Sequence, residues 1–130
     1  MTLRVDANAP PPVDGLRPHF SVMREAKGTL FVSGQMPFGP DKRITGKDVA
    51  EQTQICLGHI ARILRERELD LSDVVKTTVW LARVEDFPAF NRAYAEAFNG
   101  IAAPARSTVR ADLMVPGALV EIEAIAEIRE

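Results

Sequence analysis

Residues 119–128 read LVEIEAIAEI, and this strict alternation limits the fold more than any other segment. Successive side chains of a strand project to opposite sides, so Val120, Ile122, Ala124, Ala126 and Ile128 form one wholly apolar face. A helix would scatter them around its circumference. The other face carries Leu119, Glu121, Glu123, Ile125 and Glu127, a mixture of charge and apolar bulk. The chain must therefore build a sheet with one side sealed and the other mixed.

Two helical patterns can provide the seal. Asp48 is a favoured N-cap, with Glu51 at the position of a capping-box partner. Val49, Thr53, Cys56, Ile60, Ile63 and Leu64 then recur at spacings of three and four, a single apolar stripe. Gly58 costs about 1 kcal/mol there relative to alanine, which predicts a close approach of helix to sheet. The second helix is expected over residues 86–98, with Asp86 at its cap and Pro88 in its first turn. Its stripe of Phe87, Phe90, Tyr94, Ala97 and Phe98 holds half of the chain's aromatic residues, so it reads as the main hydrophobic anchor.

The remaining strands are predicted over residues 20–24 and 29–33, a hairpin turning at Lys27-Gly28, over the β-branched run 74–84, and over 106–112. The order is ββαβαββ, an α+β architecture with a mostly antiparallel sheet covered on one face by two helices. Residues 1–18 hold four of the nine prolines and read as an extended arm, leaving residues 19–130 as a single domain. If Trp80 points away from the helices, it joins Ile125 and the glutamates on the mixed face. Self-association through that face is then the economical way to cover it. A domain of 130 residues with helices on one side has little wall of its own for a deep pocket.

Composition narrows the chemistry. Sixteen Lys and Arg against eighteen Asp and Glu leave a net charge of −2, which argues against nucleic-acid binding. Cys56 is alone, and His19 and His59 lie far apart, so neither a disulfide framework nor a metal site is expected. No apolar run approaches a membrane span, and the first residues lack a secretory h-region, so a cytoplasmic protein with no membrane partner is expected. No P-loop, GxGxxG or HExxH occurs, and neither histidine has a Ser and acid partner by position. His59 sits mid-helix and reads as structural, and Cys56 reads as a small buried hydrophobe. What remains is Arg106 on one late strand and Glu121 on the next. An arginine fork matches a carboxylate by two parallel hydrogen bonds, and a nearby glutamate can deprotonate water. The same spacing equally describes a surface cross-strand ion pair worth under about 1 kcal/mol.

A set of ordered segments adds to this reading. Ser33-Gly34-Gln35-Met36-Pro37, Gln52-Thr53, Asp73-Val74-Val75-Lys76-Thr77-Thr78-Val79, Asp86-Phe87, Asn91, Pro104-Ala105-Arg106-Ser107-Thr108-Val109 and Val120-Glu121-Ile122-Glu123-Ala124-Ile125-Ala126 together resemble the RidA (YjgF) family of imine deaminases. The resemblance implies a chorismate-mutase-like homotrimer, with a central β-barrel, helices outside and active sites in clefts between subunits. It implies hydrolysis of small reactive 2-imino or enamine acids to 2-oxo acids and ammonia, with no metal and no organic cofactor. Arg106 would bind the substrate carboxylate and Glu121 would hold the attacking water. Ser33, Gly34, Asn91 and Thr108 would line the pocket, joined by Phe20 where many members carry tyrosine. Thr108 stands where cysteine is common, and residues 99–103 form a shorter cleft-bordering segment. These departures motivate two alternatives: a deaminase of a larger unsaturated amino acid, aminomuconate-like, or a non-catalytic ligand-binding trimer. A ribonuclease role, long attached to the family name, fits poorly with the acidic charge and the isolated histidines.

Overall fold

The computed structural model describes residues 18–129. The proline-rich arm expected over residues 1–18 lies outside them, apart from Pro18. Lys27 and Gly28 both take positive φ, 49° and 80°, the geometry of a two-residue turn whose twist suits a hairpin. That turn opposes Ala26 to Thr29 and so sets the register of β1 (Met23–Ala26) against β2 (Thr29–Gln35). The first strand thus lies later than the predicted 20–24, and Phe20 stands before it rather than in it.

Helix α1 (Val49–Arg65) begins as expected: Asp48 Oδ1 accepts from Glu51 N at 2.9 Å. Glu51 completes the cap one residue early, its Oε1 accepting from Lys47 N at 3.0 Å. Gly58 overturns its explanation. A Cβ there would meet nothing within 4 Å, because Gly58 lies on a groove shared with Ala61 and Ala93 of the second helix, not against the sheet.

Strand β3 (Val74–Leu81) ends three residues short of the expected 84, since Val84–Asp86 coil into a 3-10 turn. That turn leads into α2 (Phe87–Ala97), with Pro88 in its opening turn. Asp86 does not cap this helix by its side chain; its carboxylate instead takes Arg83 Nε and Nη2 at 2.9 and 3.0 Å. β4 (Ala105–Arg110) and β5 (Val120–Glu127) complete the order ββαβαββ.

The sheet runs β1-β2-β5-β3-β4, antiparallel except for β3 and β4, which are parallel because α2 carries the chain back between them. α1 lies over β2 and β5, with α2 beside it. Val120, Ile122, Ala124 and Ala126 are at most 1% exposed, so the even face of β5 is core. Val79 and Leu81 point the same way, which turns Trp80 to the uncovered side, opposite Glu121. Phe31 of β2, in register with Ile125, stays 46% exposed there. Among the described residues no helix is long and apolar enough to cross a membrane.

One expectation fails at the level of topology. β4 does not pair with β5, because β3 runs between them. Arg106 is opposite Thr77 and Glu121 is opposite Trp80, so the two cannot form a cross-strand pair.

Candidate active site

The candidate residues fall into two separate clusters of side chains. The first surrounds Glu121 on the uncovered face. The β2–β5 register slips between Val32 and Gln35, and this irregularity brings Gly34 beneath the Glu121 carboxylate. A Cβ on Gly34 would lie 2.6 Å from Glu121 Oε2, so only glycine leaves the carboxylate its place. Ser33 holds the preceding segment: its Oγ donates to Ser21 O at 2.6 Å and its N to Val22 O at 2.9 Å. Phe20, 50% exposed, lines a neighbouring cavity of about 460 Å³ together with Ser33, Arg24, Phe31, Glu123 and Ile125, a lining that does not include Gly34 or Glu121. His19, at φ 60°, borders the same cavity. Partial burial raises the pKa of Glu121 above the usual carboxylate range, and the charge of Glu123 raises it further. A carboxylate tuned upward is a better proton acceptor near neutral pH.

The second cluster surrounds Arg106. Its partner Thr77 is 1% exposed beneath α2, so Arg106 points to the helix side of the sheet. There the guanidinium carbon lies 4.7, 5.3 and 5.8 Å from the ring centroids of Tyr94, Phe90 and Phe87. Arg106 Nη1 donates to Asn91 Oδ1 at 2.9 Å. Thr108, two residues along the strand, faces the same way, and its buried hydroxyl has no partner among the described residues.

The candidates predicted from sequence therefore divide. Gly34 lies against Glu121, Phe20 and Ser33 line the adjacent cavity with Glu123, and Asn91 and Thr108 gather with Arg106. Paired residues on adjacent strands share a face, and Thr77 and Trp80, three apart on β3, face opposite sides. Two strand spacings and three residues of rise put the Cα atoms of Arg106 and Glu121 on the order of 14 Å apart. One copy of the chain cannot bring both to a small substrate.

The other candidates take structural places. His59 Nε2 lies 2.7 Å from Phe38 O, and Arg62 Nη1 donates to His59 Nδ1 at 2.9 Å. Arginine can only donate, so Nδ1 accepts and Nε2 carries the proton bound to Phe38. Cys56 is buried with its Sγ against Val120 O, and burial pushes its thiol far upward.

The family model described as Endoribonuclease L-PSP matches residues 13–128. The chain belongs to the RidA/YjgF family. A RutC family protein of Pyrococcus horikoshii is 38% identical over 120 residues, covering 92% of this chain and 91% of that one. The 2-iminobutanoate/2-iminopropanoate deaminase of Rattus norvegicus is 37% identical over 99 residues, covering 75% of this chain and 72% of the relative. In structure, the YjgF gene product of E. coli superposes with a TM-score of 0.80 at 31% identity, with 94% of each chain covered. The mixed five-stranded sheet with two helices is thus the fold of RidA/YjgF structures. Within this RidA/YjgF chain, sequence reasoning missed the setting of Arg106. Periodicity marks Phe87, Phe90 and Tyr94 as a core stripe, yet all three also border the guanidinium. The signal available was the fixed order of that stripe, Asn91 and Arg106, but only tertiary structure shows them meeting.

Proposed function

We propose that the chain is a cofactor-independent deaminase that hydrolyses small reactive 2-imino and enamine acids to 2-oxo acids and ammonia in the cytoplasm. It would do so as a homotrimer whose uncovered sheet faces form a central barrel. The observation that carries this reading is the division of the site. Arg106 and Glu121 stand on opposite faces of one sheet, each with its own pocket residues. A carboxylate binder and a base become one site only when Arg106 of one subunit meets Glu121 of another. The uncovered face, with Phe31, Trp80 and Ile125 among its charges, supports such an assembly. So does the likeness to a relative named as an imine deaminase.

The chemistry asks little of the protein. A protonated imine carbon is already electrophilic, so orientation and charge placement supply most of the acceleration. Arg106 would hold the substrate carboxylate by its fork while Asn91 fixes one of its amino groups. Glu121 would take a proton from the water that attacks the imine carbon, giving a carbinolamine. It would then return that proton to the nitrogen and take the hydroxyl proton as the carbon–nitrogen bond breaks, so that ammonia leaves, the 2-oxo acid forms and the proton on Glu121 passes to ammonia or solvent. The raised pKa of Glu121 suits these transfers.

The decisive test mixes two dead variants. Arg106→Ala and Glu121→Ala should each be inactive alone on 2-iminobutanoate, and each should sediment at three times the 14.3 kDa of one chain. Unfolded, mixed and reassembled together, they should regain activity, because some interfaces then unite an intact arginine with an intact glutamate. No recovery from a reassembled mixture would refute the shared site.

A larger unsaturated amino acid is the second reading, favoured by the aromatic wall of Phe20 and Phe31. Faster turnover of the small imine than of an aminomuconate-like substrate would exclude it. A non-catalytic ligand-binding trimer would show 2-oxo acid binding at Arg106 with no turnover.

A further inference from the structure

We infer that the ring of Tyr94 is a positioning element for Arg106: it fixes the plane of the guanidinium and so decides which edge meets a substrate carboxylate. This rests on the reading of Arg106 as the carboxylate-binding group.

Three observations lead there. First, the guanidinium is surrounded by rings. Among the described residues no Asp or Glu forms an ion pair with Arg106, and the Tyr94 centroid, 4.7 Å away, is the nearest of three. A planar cation against an aromatic face keeps its N–H groups directed outward in its own plane, while its charge stays available to an incoming anion. Second, the platform is rigid. Tyr94 is 5% exposed and Phe90 fully buried, and Tyr94 packs between Phe90 at 5.5 Å and Phe98 at 4.8 Å. Third, the platform is tied to the rung it serves. The Tyr94 hydroxyl lies 2.7 Å from Thr77 Oγ1, and Thr77 is the residue opposite Arg106 in the sheet. Asn91, one helical turn before Tyr94, holds Nη1. Ring and amide, both on α2, thus fix the tilt and the rotation of one side chain.

The ring and the hydroxyl can be separated by substitution. Tyr94→Phe keeps the aromatic face and removes the Thr77 partner, so it costs stability and spares binding. Tyr94→Leu removes the face. Wild type, both variants and Arg106→Ala are compared for turnover of 2-iminobutanoate, for calorimetric affinity for 2-oxobutanoate, and for thermal midpoint. For Tyr94→Leu a roughly 2- to 30-fold rise in KM and in product Kd is expected, with kcat within about 2-fold of wild type. Tyr94→Phe should bind within about 2-fold of wild type despite a lower Tm. If Tyr94→Leu does not assemble, Tyr94→Met, which refills the volume without a π face, takes its place. Unchanged binding in the Leu or Met variant overturns the inference, as does a Phe variant that binds as weakly as they do. Wild-type binding and turnover in Arg106→Ala instead overturn the carboxylate reading on which it stands.

Discussion

The two faces of the sheet are built from the same strands but on different terms. The helix-covered face encloses the hydrophobic core within one chain. Val79, Val120 and Ile122 are fully buried and the buried hydroxyls of Thr77 and Tyr94 satisfy each other, while the Thr108 hydroxyl on the β4 edge has no partner among the described residues. The uncovered face alternates half-buried glutamates with Phe31, Trp80 and Ile125, and no helix among the described residues covers it. Each face holds half of the candidate chemistry. The lesson is that the chain closes only one side of its sheet, while the candidate chemistry is divided between the closed side and the open one.

Charge substitution breaks this comparison most sharply. An aspartate at Val79 would bury an unpaired carboxylate, several kcal/mol against a domain stable by roughly 5–15 kcal/mol. Val79→Asp should lose its cooperative thermal transition. Phe31→Asp on the other face should keep wild-type far-UV circular dichroism and sediment as a single chain of 14.3 kDa. A trimeric Phe31→Asp would mean that the uncovered face is not an interface.

Rate effects come next. Glu121→Gln should lower kcat by about 10²- to 10⁴-fold, the usual contribution of a positioned acid–base group, with KM little changed. Gly34→Ala places a methyl 2.6 Å from the Glu121 oxygen and should lower kcat through displacement of that oxygen, without lowering affinity for 2-oxobutanoate. Stopped-flow loss of the imine signal measures both. A Gly34→Ala protein with wild-type kcat would show the carboxylate free to move away.

Stability at the junction of helix and sheet offers a smaller effect. Gln52, 3% exposed on α1, accepts from Leu119 N at 2.7 Å and donates to Gly117 O at 3.1 Å and Gly46 O at 3.3 Å. These bonds grip the chain just before Glu121. Gln52→Leu should cost about 2–4 kcal/mol, since backbone groups lose buried partners, and urea unfolding measures it. A cost under about 1 kcal/mol would mean that water replaces the amide.

How much of this could be read from sequence depends on the range of the interactions. The alternation of residues 119–128, the Asp48 cap and the α1 stripe are local, and all three were legible. The mixed face was legible too, since a strand's two sides are written in its own residues. The first strand was misplaced because the twisted turn at Lys27-Gly28, not hydrophobicity, sets where pairing starts. The order of β5, β3 and β4 is non-local: α2 returns the chain parallel to β3, so the strands of Arg106 and Glu121, consecutive in sequence, are not neighbours. Gly58 was misread for a similar reason, as its open surroundings depend on where α2 docks. The residues of the candidate site were nameable from their motifs. Their division between two faces was not, because a side chain's direction depends on pairing register.

The finest comparison lies within the uncovered face, between Glu121 and Glu123. Both project from β5 to the same side, and the charge of Glu123 adds to burial in raising the Glu121 pKa. If Glu121 must be ionised to accept a proton from water, the acid limb of kcat/KM follows that pKa. Glu123→Gln removes the repulsion, so the limb should move to lower pH, by less than burial alone contributes. Stability moves by the same linkage. A carboxyl whose pKa is raised on folding contributes stability that is full below its unfolded pKa and lost as pH rises through its folded pKa. Glu123→Gln lessens that loss, so the variant should gain thermal midpoint at neutral pH and show little difference in acid. A pH–rate profile and melts at two pH values measure both effects. An acid limb that stays in place would assign the raised pKa of Glu121 to burial alone.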